Sequence, residues 1–369
     1  MVQAITADTI VAGFRLLEQI GIGSAGEVWQ GTDEDQLVAV KFLNASLLES
    51  PDKNKHLHRF RNEALALQHV ADLAHIPTHF HHDLEVERPY IVMQYIESRA
   101  FSELMAEGEM MYVPLPQRLI ALQRIAETLS VVHQRGIVHR DIKPSNIHGI
   151  DYPYLLDFSI GIPSKYADKA DRRVGTPLYL VPDLLPPSAR TDGYGFAVVV
   201  YEIIFGRHPI FDYRNIPDDT DALRQQASQA ILNETWHRPN QLAETDLPVN
   251  LKGANLDQLT SIFQNALMLS DDRYADVLVF MNDVMEAIHV PDNVPFLDAI
   301  PLPTDDIGGQ QVADVEHWTD HLVAVYSAST DIPMDENMGG FSTKHWLIGL
   351  TMLFSILFVM LILLVFLPN

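Results

Sequence analysis

The chain has 369 residues, 47% of them apolar, and a formal charge of −24 from 49 acidic and 25 basic residues. That length and apolar share support a folded core, while the acidic balance excludes nucleic-acid partners, whose phosphates demand a basic footprint, and wide adhesion to anionic lipid. The chain has no cysteine, which excludes disulfides, thiolate metal sites and a cysteine nucleophile. Its first residues show no basic stretch leading into an apolar one, so no signal peptide is expected.

Residues 14–20 read as a strand and lead into Gly21, Gly23 and Gly26, spaced GxGxxG. On its own that spacing also fits a strand-to-helix dinucleotide site. Here residues 27–30 and 37–42 look extended around a turn at 32–36, which places the glycines in a hairpin whose backbone N–H groups can close over phosphates. Lys41 sits inside the apolar strand 38–42. A buried cation needs a partner, and Glu63, in a helix expected over 58–70 with Leu67 one turn on, is the candidate. Histidines gather at 75, 79, 81 and 82 in what reads as a loop. No acidic or cysteine pattern joins them, so a metal site is not assigned.

Farther on stands His139-Arg140-Asp141-Ile142-Lys143-Pro144-Ser145-Asn146. Asp141 is placed to take a proton from an acceptor hydroxyl, Lys143 to neutralise charge on a moving phosphoryl group, and Asn146 to offer an oxygen to Mg²⁺. Asp157 ends a short apolar strand 16 residues after Asp141 and fits a second metal ligand.

With these motifs in hand, the sequence resembles the protein kinase superfamily, most closely bacterial eukaryotic-like (Hanks-type) Ser/Thr kinases; residues 14–29 and 90–96 carry the likeness too. The resemblance implies an α+β bilobal fold over residues 10–289, with a β-rich N-lobe over about 10–93, a helical C-lobe over about 97–289, and ATP between them with Mg²⁺ or Mn²⁺. It makes Met93 the gatekeeper and 94–96 the hinge, with Gln94 and Ile96 toward adenine, and adds Ile20, Val28 and Ala39 to the nucleotide contacts beside Gly21, Gly23, Gly26 and Lys41. Asp141, Lys143, Lys41 and Glu63 form its catalytic set, and Asn146 and Asp157 its metal ligands. The segment 175–179 matches the substrate platform, Asp192 the helix aspartate that ties down the catalytic loop, residues 206–209 the stretch after that helix, and Arg273 the partner of the carboxylate in the Val181-Pro182-Asp183 segment. Lys143 followed by Pro144 is the Ser/Thr pattern, so protein Ser and Thr are the expected acceptors. The resemblance allows homodimers.

Two residues depart from the family pattern: Ser159 stands where Gly is usual, and Asp183 where Glu is usual. They are what supports a rival reading, a nucleotide-binding scaffold without transfer. The segment 159–174 has no Thr; Ser164 and Tyr166 within it and Thr176 just beyond it are the candidate phosphosites, with Ser159 behind them, Arg140 is a candidate phosphate clamp, and Asp168 or Asp171 are alternative sources of negative charge. Residues 290–343 hold ten Asp or Glu and no Lys or Arg, and read as an acidic linker with a short helix around 312–325. Residues 346–367 carry no charge, and as a helix would reach about 33 Å, enough to cross a hydrocarbon core of about 30 Å. The expected arrangement is a single-pass protein of the cell membrane with the catalytic region on the cytoplasmic side.

Overall fold

The computed structural model describes residues 4–23, 26–243, 247, 251 and 254–290. Almost all of the linker and the whole apolar run 346–367 lie outside the described residues. Among the described residues no helix is long and apolar enough to cross a membrane.

The N-terminal part is a six-stranded antiparallel sheet of β1 (Ile10–Val11), β2 (Phe14–Ile22), β3 (Gly26–Thr32), β4 (Leu37–Leu43), β5 (His79–Asp83) and β6 (Tyr90–Gln94), in the order β1-β2-β3-β4-β6-β5. Helices α1 (Ala45–Leu48) and α2 (Lys53–Val70) fall between β4 and β5. Register sorts the side chains. Val28 lies opposite Lys41, and Ala39 opposite Met93, so these four share one face because side chains alternate along a strand. The other face carries Leu16, Trp29, Val38, Val40, Phe42 and Val92, which form a small core of their own.

Two local expectations change. Helix α2 begins at Lys53, more than a turn before residue 58; its first residues, Lys53, Asn54 and Lys55, are polar and leave no apolar period to read. The histidines at 79, 81 and 82 lie on strand β5, not in a loop, because β6 pairs with it through His79↔Met93, His81↔Val92 and His82↔Ile91. As an edge strand, β5 tolerates polar side chains on its open face. His79 Nε2 and His82 Nδ1 hydrogen-bond at 2.9 Å.

The larger part is helical: α3 (Phe101–Ala106), α4 (Leu115–Gln134), α5 (Ala189–Phe205), α6 (Thr220–Leu232), α7 (Leu256–Leu267) and α8 (Val277–Ile288). Between α4 and α5 run four two-residue strands, β7 (Ile137–Val138), β8 (Ile147–His148), β9 (Tyr154–Leu155) and β10 (Ile162–Pro163), paired β8 with β9 and β7 with β10. Helix α5 is the axis of this lobe. From Tyr194 to Phe205 every residue is buried, as expected of a helix apolar on all faces. Ser188 caps its start in a reciprocal bond with Thr191, and Gly206 closes it in the left-handed region at φ 69°. The one strongly acidic residue in its first turn is Asp192, and it aims at the loop after β7.

Candidate active site

Lys41 is a cation shared by two carboxylates. Its Nζ donates to Glu63 Oε1 at 2.5 Å and to Asp157 Oδ1 at 2.9 Å. Strand β4, helix α2 and Asp157, two residues past β9, therefore meet at one atom. Burial works against the charge on Lys41, but Asp157 and Glu63 outweigh it and hold the ammonium above the usual lysine value. Burial would likewise raise Asp157, yet Lys41 and Lys143 keep it well below the usual carboxylate range, with a hydrogen bond from the Ser159 hydroxyl adding to their effect. For Glu63 burial prevails over Lys41 and its pKa rises to about 6.

Asp141 has both oxygens engaged. Thr176 Oγ1 donates to its Oδ1 at 2.7 Å, and Lys143 Nζ lies 2.8 Å from its Oδ2. Lys143 also donates to Thr176 Oγ1 at 2.9 Å, and Asn146 Nδ2 donates to the Asp141 carbonyl at 2.8 Å and to Oδ2 at 3.2 Å. This ring of four side chains fixes where the carboxylate points. Sequence reading takes Thr176 as a platform landmark or phosphosite; here its hydroxyl is spent between Asp141 and Lys143, a placement that no spacing encodes.

The loop bearing Asp141 is held from beneath by Asp192. One oxygen accepts from His139 N at 2.7 Å and from His133 Nε2 at 2.8 Å, the other from Arg140 N at 2.7 Å. Arg140 sits at φ 72° and Asp157 at φ 63°, left-handed conformations that cost free energy in a non-glycine residue and persist only where surroundings impose them. Phe158, 2% exposed, stacks obliquely on His139 at 4.6 Å between ring centroids, which locks the residue after Asp157 into the core. The Arg140 guanidinium donates to the main-chain carbonyls of Ile160 and Asp171. It staples the segment 159–174 through its backbone.

The nucleotide contacts expected from sequence are distributed as follows. Val28, Ala39, Lys41 and Met93 share one sheet face, and Gly21 pairs with Val28 at its end. Gly26 lies so close to β4 that a Cβ would stand 2.5 Å from the Phe42 carbonyl, so glycine is required there. Gly23 is held by Asn44 Nδ2, which donates to its carbonyl at 2.7 Å. Ile20 is 41% exposed at the outer end of β2. The Gln94 main-chain N–H donates to Thr78 O at 2.8 Å, and its side chain binds Tyr154 OH and Thr78. Ile96 is half-buried beyond β6. Asn146 and Asp157 offer oxygen donors, one neutral and one held ionised, a set suited to a hard divalent cation.

The description "Protein kinase domain" matches residues 14–284. The chain belongs to the protein kinase family. Among curated relatives of this kinase, it is 28% identical to the serine/threonine-protein kinase Pkn1 of Myxococcus xanthus over 320 residues, covering 79% of this chain and 42% of that protein. It is 32% identical to the serine/threonine-protein kinase PknB of Mycobacterium tuberculosis, covering 53% and 33%. This kinase therefore spans less than half the length of these relatives. The kinase domain of Mycobacterium tuberculosis PknI superposes with a TM-score of 0.53 at 20% identity, covering 77% of this chain and all of that one, a likeness of fold.

The Asp183 departure from the family pattern stays connected. Asp183, one methylene shorter than the usual Glu, still meets Arg273 Nη1 at 2.5 Å, with Arg273 1% and Asp183 10% exposed. Two further groups escape sequence reading. Glu202 on α5 accepts from the hydroxyls of Tyr179 and Tyr213, and is fully buried. His208 binds the platform carbonyl of Leu178. Their only signal in sequence is polarity inside apolar stretches.

Proposed function

We propose that this kinase transfers the γ-phosphoryl group of ATP to Ser or Thr hydroxyls of proteins, itself among them, at a membrane to which residues 346–367 anchor it. The observation that carries the reading is the convergence of Lys41, Glu63 and Asp157 with Asp141, Lys143 and Thr176, two constellations brought together from both lobes. The names of the curated relatives support the Ser/Thr class.

In the proposed reaction Lys41 binds the α- and β-phosphates, oriented by Glu63. Asp141 accepts the proton of the acceptor hydroxyl as its oxygen bonds to the γ-phosphorus and the bond to the ADP oxygen breaks. Lys143, already between Asp141 and Thr176, meets the charge on the transferring group. Asn146 and Asp157 would hold a divalent cation such as Mg²⁺, which when bound neutralises phosphate charge. Everything else the chain does is positioning and electrostatics. Asp183, one of the two departures that favour a scaffold, keeps its ion pair with Arg273 and so does not disconnect the machinery.

The test is transfer of labelled phosphate from ATP by the full chain to itself and to a Ser/Thr peptide library. Asp141→Asn is expected to lower transfer by about 10²-fold or more while leaving nucleotide affinity close to wild type. Binding of ATP without any transfer by the wild type would overturn the reading in favour of the scaffold.

A further inference from the structure

His208 lies outside the cleft, in the stretch after α5, and is fully buried. Its ring is wedged among Tyr179, Phe211 and Tyr213, with centroids 6.5, 5.0 and 6.0 Å away. Its two nitrogens do different things. Nδ1 accepts from the backbone N–H groups of Ile210 at 3.0 Å and Phe211 at 3.1 Å. Two donors on one nitrogen require a lone pair there, so the proton sits on Nε2. Nε2 then donates to the carbonyl of Leu178 at 3.1 Å. Burial keeps the ring neutral, pushing its pKa down to about 3 against the pull of that carbonyl, so the tautomer does not change over the working pH range.

Leu178 is the middle of the turn Pro177–Tyr179, two residues from Thr176, whose hydroxyl bonds Asp141. Tyr179 on the other side is fastened to Glu202. We infer that His208 is a positioning residue for the protein acceptor: through its Nε2–H it fixes the main chain of the platform that presents the acceptor hydroxyl to Asp141. This rests on the reading of residues 175–179 as that platform. His208 touches neither nucleotide nor reacting atoms, so its effect falls on the acceptor and spares ATP.

The two functions of the ring separate by substitution. His208→Asn keeps an acceptor near the Nδ1 position and loses the donor to Leu178. His208→Gln keeps a donor near the Nε2 position and loses the acceptor. Both leave a smaller side chain, so both are expected to melt below wild type, and their difference isolates the bond to Leu178. The experiment measures steady-state kinetics of the full chain with ATP and a peptide chosen by the wild type from an arrayed Ser/Thr library, beside amide hydrogen exchange at residues 178–180. His208→Asn should raise the peptide KM about five-fold, with the ATP KM within about two-fold, and speed exchange at those amides. His208→Gln should return the peptide KM toward wild type. Equal peptide KM in both variants, or parallel changes in the peptide and ATP KM, would overturn the inference while leaving the platform reading intact. Failure of the wild type to show a saturable peptide KM would overturn the platform reading and the inference with it.

Discussion

Ser159 is the residue at which this kinase parts most plainly from its family, and its side chain adds to the forces that keep the Asp157 carboxyl ionised. A glycine there would offer no such donor and a wider choice of backbone states. Ser159→Gly is therefore expected to raise the Mg²⁺ concentration needed for half-maximal nucleotide binding by about two- to five-fold, one hydrogen bond to a charged group being lost. Metal titration of nucleotide affinity checks it, and unchanged half-saturation would remove Ser159 from the site. At this scale the motif residues were legible, because Lys41, Asp141, Asn146 and Asp157 stand at spacings set by the chemistry. The hydroxyl of Thr176 between Asp141 and Lys143 was not, since 35 residues of chain separate partners that only the fold brings together.

At the scale of elements, two buried charges show how α5 and its neighbours are held. Asp183 and Arg273 join the segment before α5 to the loop before α8. Removing either leaves a buried charge alone, so Asp183→Ala and Arg273→Ala should each cost about 3–5 kcal/mol, and the double variant little more than either. Denaturant unfolding of the three variants tests this, and additive losses would deny the pairing.

Glu202 gives a pH signature. Burial raises its pKa from 4.5 to about 8, despite the hydrogen bonds from Tyr213 and Tyr179. A carboxyl raised in the folded state contributes stability that is full below about pH 4.5 and is lost as pH climbs through 8. Relative to Glu202→Gln, which cannot titrate, the wild type should lose roughly 3–5 kcal/mol between those limits. Unfolding of both proteins at pH 5, 7 and 9 measures the difference, and a constant gap would refute the assignment. Strands β2 to β4 and most of α2 follow from periodicity. The first turn of α2 and strand β5 do not, because polar surface residues carry no period and an edge strand takes its register from its neighbour.

For the whole molecule the open question is attachment. The proposed anchor, residues 346–367, is uncharged over 22 positions, enough for one helical span. Full-length protein should sediment with membranes and stay there through high salt and alkaline carbonate, and a chain ending at residue 345 should be released. Recovery of the full chain in the soluble fraction would sink the anchor. The preceding stretch, ten carboxylates without a cation, would be repelled by an anionic bilayer, so electrostatic adhesion through it is not expected.

The meeting of Lys41 with two carboxylates has a consequence for what the cleft admits. Counting formal charges around it, Lys41 and Lys143 face Glu63, Asp141 and Asp157, which leaves the vestibule one unit negative before anything enters. A naked polyphosphate approaching it finds its natural ammonium partner already engaged and a surplus of like sign behind it. A divalent counterion halves the charge of such a guest, so the resting ion pairs oppose the bare anion more strongly than the neutralised one.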